Sequence, residues 1–149
     1  MIEQSIPRAV PVSRGPVFVP TLRYVDAPAA IAWLSSAFGF QAQAVYPGEN
    51  GTIAHAQLTF GTGMIMLGSV ANDAHETQRS PIELDGRKTG GIYVILESDD
   101  DVDRHCERAR AAGAEIVLEL SSPDYGGRAY SARDPEGNDW SFGSYRGGP

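Results

Sequence analysis

Apolar and polar positions along the 149-residue chain follow two rhythms that alternate in a fixed order. "VFVPTLRYV" (17–25) is β-branched and aromatic, which predicts a strand. Asp26 then stands where a helix N-cap is expected, with Pro28 in the first helical turn. "APAAIAWLSSAFG" places Ile31, Leu34 and Phe38 on one helical face, and Gly39 is a suitable stop. "FQAQAVY" predicts a second strand and "PGENG" a turn. "TIAHAQLTF" and "MIMLGSV" predict two more strands, with "GTG" between them as a hairpin.

The same order then returns. "GGIYVILES" predicts a strand, and Asp99 or Asp100 is placed to cap a helix over "DDVDRHCERARAAG", closed by Gly113. "AEIVLELSS", "RAYSARD" and "NDWSFGSY" predict three further strands, separated by "PDYGG" and "PEGN". Asp26 to Gly39 and Asp100 to Gly113 each span thirteen positions. The pattern is a degenerate duplication of about 60 to 70 residues. It divides the chain into a tail (1–15), a first βαβββ module (16–70), a linker (71–89), a second βαβββ module (90–146) and a short end (147–149). The expected class is α+β: two tandem modules forming a curved mixed sheet around a cleft, with the helices outside. The linker is polar, carries Pro81 and Gly86, and is long for a compact chain, which points to a mobile or functional segment.

Composition narrows the classes. Nineteen acidic against twelve basic residues give a net charge of -7, which argues against a nucleic-acid surface. The charge is compatible with a cationic ligand, but plain solubility is its first explanation. No apolar run is long enough to span a membrane, and the first twenty residues do not read as a secretory signal. Cys106 is the only cysteine, so neither an internal disulfide nor a cysteine metal cluster is available within one chain, and a reducing cytoplasm is expected. Cys106 falls on an apolar stripe with Val102 and Ala109, where packing is the default role.

With its two βαβββ halves, "AAGAE" helix stop and "GGRAYSARDPEGNDWSFGSY" ending, the chain resembles the vicinal oxygen chelate superfamily. That superfamily includes glyoxalase I, extradiol dioxygenases, fosfomycin-resistance enzymes and bleomycin-binding proteins. Within "DPEGN", Pro135 and Gly137 have a local turn logic, Asp134 can bond the turn backbone, and Glu136 at the tip is expected to be solvated.

The resemblance implies a test for a metal. Metal-dependent members take ligands from the first and last strands of each module, usually His and Glu. Aligned by eye, those positions here are Val19, Gln57, Gly91 and Ser141, which offer no adequate ligand set. His55 shares a strand face with Gln57 but is one donor. His75 lies in the loop, and His105, beside Asp101 and Asp103, is expected to face solvent. The expectation is therefore no metal and no cofactor.

Strand alternation assigns Arg23, His55, Gln57, Tyr93, Asp139 and Ser141 to the cleft, with Ile95, Met64 and Met66 nearby. Trp140 and Phe142 then face the helices, although the Trp140 indole also has a reading as a stacking platform for a planar ligand. Tyr125 and Tyr130 flank a segment from which Arg128 is placed to reach an anionic group. The catalytic residues are unknown; His55 as general base and Tyr93 as acid are the candidates if the protein is an enzyme. By resemblance to the metal-free bleomycin-resistance members, the expected function is sequestration of a small, antibiotic-like molecule, cationic or aromatic, by a homodimer. The alternative is a lyase, isomerase or dioxygenase-like enzyme of the same fold, using side chains or an unrecognised metal site.

Overall fold

A computed structural model describes residues 8–12, 14–72 and 77–148. The first half runs β1 (Thr21–Tyr24), α1 (Ala27–Trp33), β2 (Gln41–Pro47), β3 (Ile53–Phe60) and β4 (Gly63–Ser69). The second runs β5 (Ile92–Ile95), α2 (Asp99–Ala111), β6 (Glu115–Ser121), β7 (Ala129–Arg133) and β8 (Asp139–Gly143). Each half builds a four-stranded mixed sheet, in the orders β1-β4-β3-β2 and β5-β8-β7-β6. In each, the first and last strands are parallel and the remaining pairs antiparallel. The duplication read from the pattern is thus present in the topology.

Local chemistry explains the element ends. Asp26 caps α1 by accepting from Ala29 N at 3.1 Å, with Pro28 in the first turn as expected. The helix continues into a π-type segment over Leu34–Phe38 and stops at Gly39, whose φ of 85° suits a residue without Cβ. β1 starts later than the sequence predicts, at Thr21, because Pro16 and Pro20 carry no N–H for a ladder. The cap of α2 is Ser98, whose Oγ accepts from Asp101 N at 3.2 Å, and not Asp99 or Asp100; both of these lie in the first turn, where negative charge suits the helix dipole.

One core unites the two halves. Tyr24, Leu34, Phe38, Leu58 and Leu67 from the first module pack with Val102, Cys106, Tyr130, Trp140 and Phe142 from the second. Phe38 has its ring centroid 4.7 Å from Phe142 and 5.5 Å from Trp140. Arg108 on α2 reaches back to the carbonyls of Ser35 and Ser36, the exposed end of the other module's helix. The modules therefore join through their helix-covered sides.

Two sequence expectations fail at this junction. His105 does not face solvent: it is largely enclosed, with Nε2 on the Phe38 carbonyl at 2.8 Å and Nδ1 on the Tyr130 hydroxyl at 2.6 Å. A carbonyl only accepts, so Nε2 carries the proton and, in the neutral ring, Nδ1 accepts from Tyr130. Its spacing explains the error, because 105 extends the 102, 106, 109 stripe at i+3 and so borders the buried face.

Glu136 is not solvated either. It is 8% exposed, and its carboxylate accepts from Val25 N (2.7 Å), Asp26 N (2.8 Å) and Ser80 Oγ (2.6 Å). The turn does more than close one hairpin: it clasps the start of the other module's helix and the linker. Ser80 also opens a short 3-10 turn, Pro81–Leu84, in a capping box with Glu83.

Candidate functional site

The open, helix-free faces of the two sheets carry the residues that alternation assigned to them. On the first sheet, β3 presents His55, Gln57 and Thr59 while Ala56 and Leu58 point into the core. His55 Nε2 contacts Gln57 Oε1 at 3.0 Å, and Gln57 Nε2 donates to Gln43 Oε1 at 2.9 Å. Because the amide oxygen only accepts, Nε2 is the donor in this relay. Arg23 sits opposite Gly68 in the β1–β4 register, with its guanidinium directly over that glycine; a Cβ at 68 would collide with Arg23 Nη1. Met64 and Met66 extend the same face, half-buried.

On the second sheet, Tyr93 and Ile95 stand 43% and 46% exposed on β5. Tyr93 lies flat across β8, because Gly143 has no Cβ to lift it, and donates its hydroxyl to the Tyr145 carbonyl at 2.8 Å. Burial, with Tyr125 nearby, raises its pKa above the ordinary value, so the phenol keeps its proton at neutral pH. Ser141 Oγ meets Ser131 Oγ at 2.7 Å. Asp139 is held by Arg133 Nε at 2.9 Å and Lys88 Nζ at 3.3 Å. Partial burial alone would raise its pKa, but the bonds from Arg133 and Lys88 outweigh this and lower it.

Trp140 leaves the set of ligand residues. Its side chain is 0% exposed, on the helix face, and its indole N–H donates to Asp134 at 3.1 Å. Tyr130 is likewise buried against His105, and Arg128 is committed to Asp103 at 2.6 Å. His75 falls outside the described residues.

The remaining candidates form two groups and not one. Among the described residues, no hydrogen bond or ion pair joins the His55–Gln57–Gln43 relay to Tyr93, Asp139 or Ser141. Helix-side packing holds the modules together within the chain, which leaves the two groups on the open faces of separate sheets. Where the sheet edges approach, a recess of about 390 Å³ is lined by Thr21 and Leu22, by Gly91 and Asp139, and by linker cations Arg79, Arg87 and Lys88. A second, about 430 Å³, lies on the open face of the second sheet among Tyr93, Ile95, Tyr125 and Tyr145. In the sequence Tyr125 registers only as a flank and Tyr145 not at all; the signal available was three tyrosines bracketing one strand pair.

The donor set does not suit a divalent metal. Val19 and Gly91 offer no side-chain donor, the Gln57 amide is engaged with His55 and Gln43, and Ser141 with Ser131. Among the described residues, no group of three or more His, Cys, Asp or Glu side chains gathers to hold an ion. Also among them, no helix is long and apolar enough to cross a membrane.

Comparison with known proteins agrees with this architecture. An uncharacterised protein of Mycobacterium tuberculosis (strain H37Rv), Rv0887c, is 31% identical over 129 residues, 86% of this chain and 74% of that protein. TioX from Micromonospora sp. ML1 shares 34% identity over 86% of this chain and 97% of its own, with a TM-score of 0.66. The fosfomycin resistance protein FosX from Listeria monocytogenes, in a mutant form complexed with Mn(II), shares the fold at 18% identity and a TM-score of 0.64, covering 86% of this chain and 88% of FosX. Residues 17–142 match the family model directly, and the chain belongs to the Glyoxalase/Bleomycin resistance protein/Dioxygenase superfamily.

Proposed function

We propose that the protein binds a medium-sized, partly aromatic small molecule and sequesters it without a metal. The observation that carries this reading is the side-chain content of the four positions that the family resemblance assigns to metal ligands: Val19, Gln57, Gly91 and Ser141. Without a Lewis acid there, the chemistry shared by the catalytic members has no electrophile. What the open faces offer is binding chemistry: amide and hydroxyl groups in ordered relays, beside adaptable methionines and exposed tyrosines.

Each open face is half a site, so the binding unit is a homodimer in which the first sheet of one copy faces the second sheet of its partner. Arg23, His55 and Gln57 from one copy would then confront Tyr93, Asp139 and Ser141 from the other. A net charge of -7 favours a ligand bearing a cation, and a single buried cysteine suits a reducing cytoplasm.

A thermal-shift panel of glycopeptides, aromatic antibiotics and thiol conjugates, followed by mass spectrometry of the bound compound, tests the reading. Recovery of the ligand unchanged is the expected result; its consumption would replace sequestration by catalysis. The second reading, an enzyme with His55 as base and Tyr93 as acid, draws on the His55 imidazole held by Gln57 and the retained proton of Tyr93. Loss of turnover in His55→Ala with binding retained would favour this second reading.

A further inference from the structure

The chain as a whole is acidic, yet the recess between the linker and the sheet edges is lined by cations. Arg79, Arg87 and Lys88 stand in its walls with one carboxylate, Asp139. A short turn brings them together. Ser80 opens the 3-10 turn Pro81–Leu84 in its capping box with Glu83, and Ser80 Oγ is itself bound to Glu136 at 2.6 Å. Asp85 and Gly86 then take φ of 55° and 81°, which reverses the chain, and Arg87 N returns to the Leu84 carbonyl at 3.0 Å. Arg79 before the turn and Arg87 and Lys88 after it therefore line the same space, on a segment anchored to the second module.

Much of the donor capacity of this group is unspent. Among the described residues, the Arg87 side chain makes no hydrogen bond or ion pair. Arg79 uses only Nε, on the Gln78 carbonyl at 3.2 Å and, at the longer distance of 3.7 Å, on Glu83. The Lys88 ammonium, whose side chain is 21% exposed, meets the Gly86 carbonyl at 3.1 Å and Asp139 at 3.3 Å, which leaves one of its three N–H groups. Asp139 is also held by Arg133 at 2.9 Å, so its charge is already offset. The backbone amides of Lys88, Thr89 and Gly90 donate to nothing among the described residues. Beside these donors, Leu22, Pro81, Leu84 and Ile92 give the recess an apolar side.

We propose that this recess is a binding site for a small organic oxyanion, a phosphate or carboxylate joined to a compact apolar body, held by Arg79, Arg87 and Lys88. Guanidinium forks match the oxygens of either group with paired N–H bonds, and the ammonium adds a point charge. About 390 Å³ is more than a bare anion fills and lies within the range of small-ligand pockets, which is where the apolar side enters. The site belongs to the linker and the sheet edges. It is independent of the sequestration reading, since binding here does not depend on what the open faces hold or on whether that ligand is consumed.

The test titrates the full chain by calorimetry with phenyl phosphate and benzoate, against benzyl alcohol as the neutral analogue and inorganic phosphate as the anion without an apolar body. At least one aryl anion should bind about tenfold more tightly than either control, and the tighter of the two identifies the anionic group. Raising sodium chloride from about 0.02 M to about 0.5 M should weaken it. Arg87→Ala, an exposed substitution, should weaken it about tenfold, as should Arg79→Gln, while Arg104→Ala on the surface of α2 should leave it unchanged. Sedimentation should show the same oligomeric state for wild type and Arg87→Ala. Failure of both aryl anions to bind, affinity no better than that of the controls, or equal affinity in wild type and Arg87→Ala would overturn the assignment. An equal loss in Arg104→Ala would reduce the effect to diffuse charge and overturn it too. So would a shift of Arg87→Ala towards monomer, which would make the recess a contact between copies. Sequestration is judged separately, by whether the panel ligand is recovered intact, and can stand when the anion site falls.

Discussion

The hydroxyl of Tyr24, at the end of β1, donates to Asp134 Oδ2 at 2.7 Å across a sequence separation of 110 residues. Asp134 also accepts from the Trp140 indole, from the side chain and backbone of Asn138, and from Glu136 N. Burial, followed by the charge of Asp134, drives the Tyr24 phenol well above its ordinary pKa, so it serves as a donor throughout the physiological range.

Asp134→Ala strips one acceptor from at least three buried or half-buried side-chain donors. The expected loss is about 3 kcal/mol or more, since each buried donor left without a partner is costly. Tyr24→Phe removes one bond while leaving the carboxylate its other donors, and should cost about 1–2 kcal/mol. Urea denaturation followed by tryptophan fluorescence measures both; equal losses would contradict the ranking.

Glu136→Gln should release the linker before it unfolds the protein. An amide oxygen accepts more weakly than a carboxylate, and the Gln NH₂ would face backbone N–H donors at Val25 or Asp26. The expected outcome is a stability loss of about 2 kcal/mol together with faster limited proteolysis within 77–89. Cleavage rates matching wild type would show that Ser80 holds the linker by other means.

His105 makes stability depend on pH. Burial, with the nearby Arg108 charge, lowers its pKa below the ordinary 6.5, although its bond to the Phe38 carbonyl opposes this. The unfolded chain then binds a proton that the folded chain refuses. Stability from this group is complete above the unfolded pKa and declines as pH falls from about 6.5 through the folded value. His105→Gln, which can still donate to Phe38, should flatten the decline between about pH 7.5 and 5. Thermal denaturation across that interval, with an unchanged slope in the variant, would remove His105 from the account.

Metal should make no difference. Dialysis against a chelator is expected to leave the melting temperature and ligand binding as they were, and nickel, zinc, iron or manganese should give no saturable heat on titration. Stoichiometric, tight uptake of any of these would overturn the reading of Gln57 and Ser141.

Much of the fold was legible in the sequence because each module is organised locally. Asp26, Pro28 and Gly39 mark one helix with residues only a few positions apart, and alternation along β3 separates His55 and Gln57 from Ala56 and Leu58. What escaped was tertiary. Glu136 in a "DPEGN" turn has the composition of a solvated tip, and nothing near it in sequence shows the Val25 and Asp26 amides that it will meet. Ser98 and Asp99 both qualify as caps by type, and geometry decides between them. The separation of the open faces was hidden for the same reason, since a strand pattern gives the face of a side chain and not the direction in which the whole sheet looks.

Phe38 belongs by sequence to the first repeat, yet its ring is surrounded by Trp140, Phe142 and His105 of the second. The duplication has thus become indivisible: severing the chain at the linker would leave either fragment with a greasy scar where its sibling's aromatic plug had been. Swapping halves between relatives will succeed only when this plug and its socket travel together.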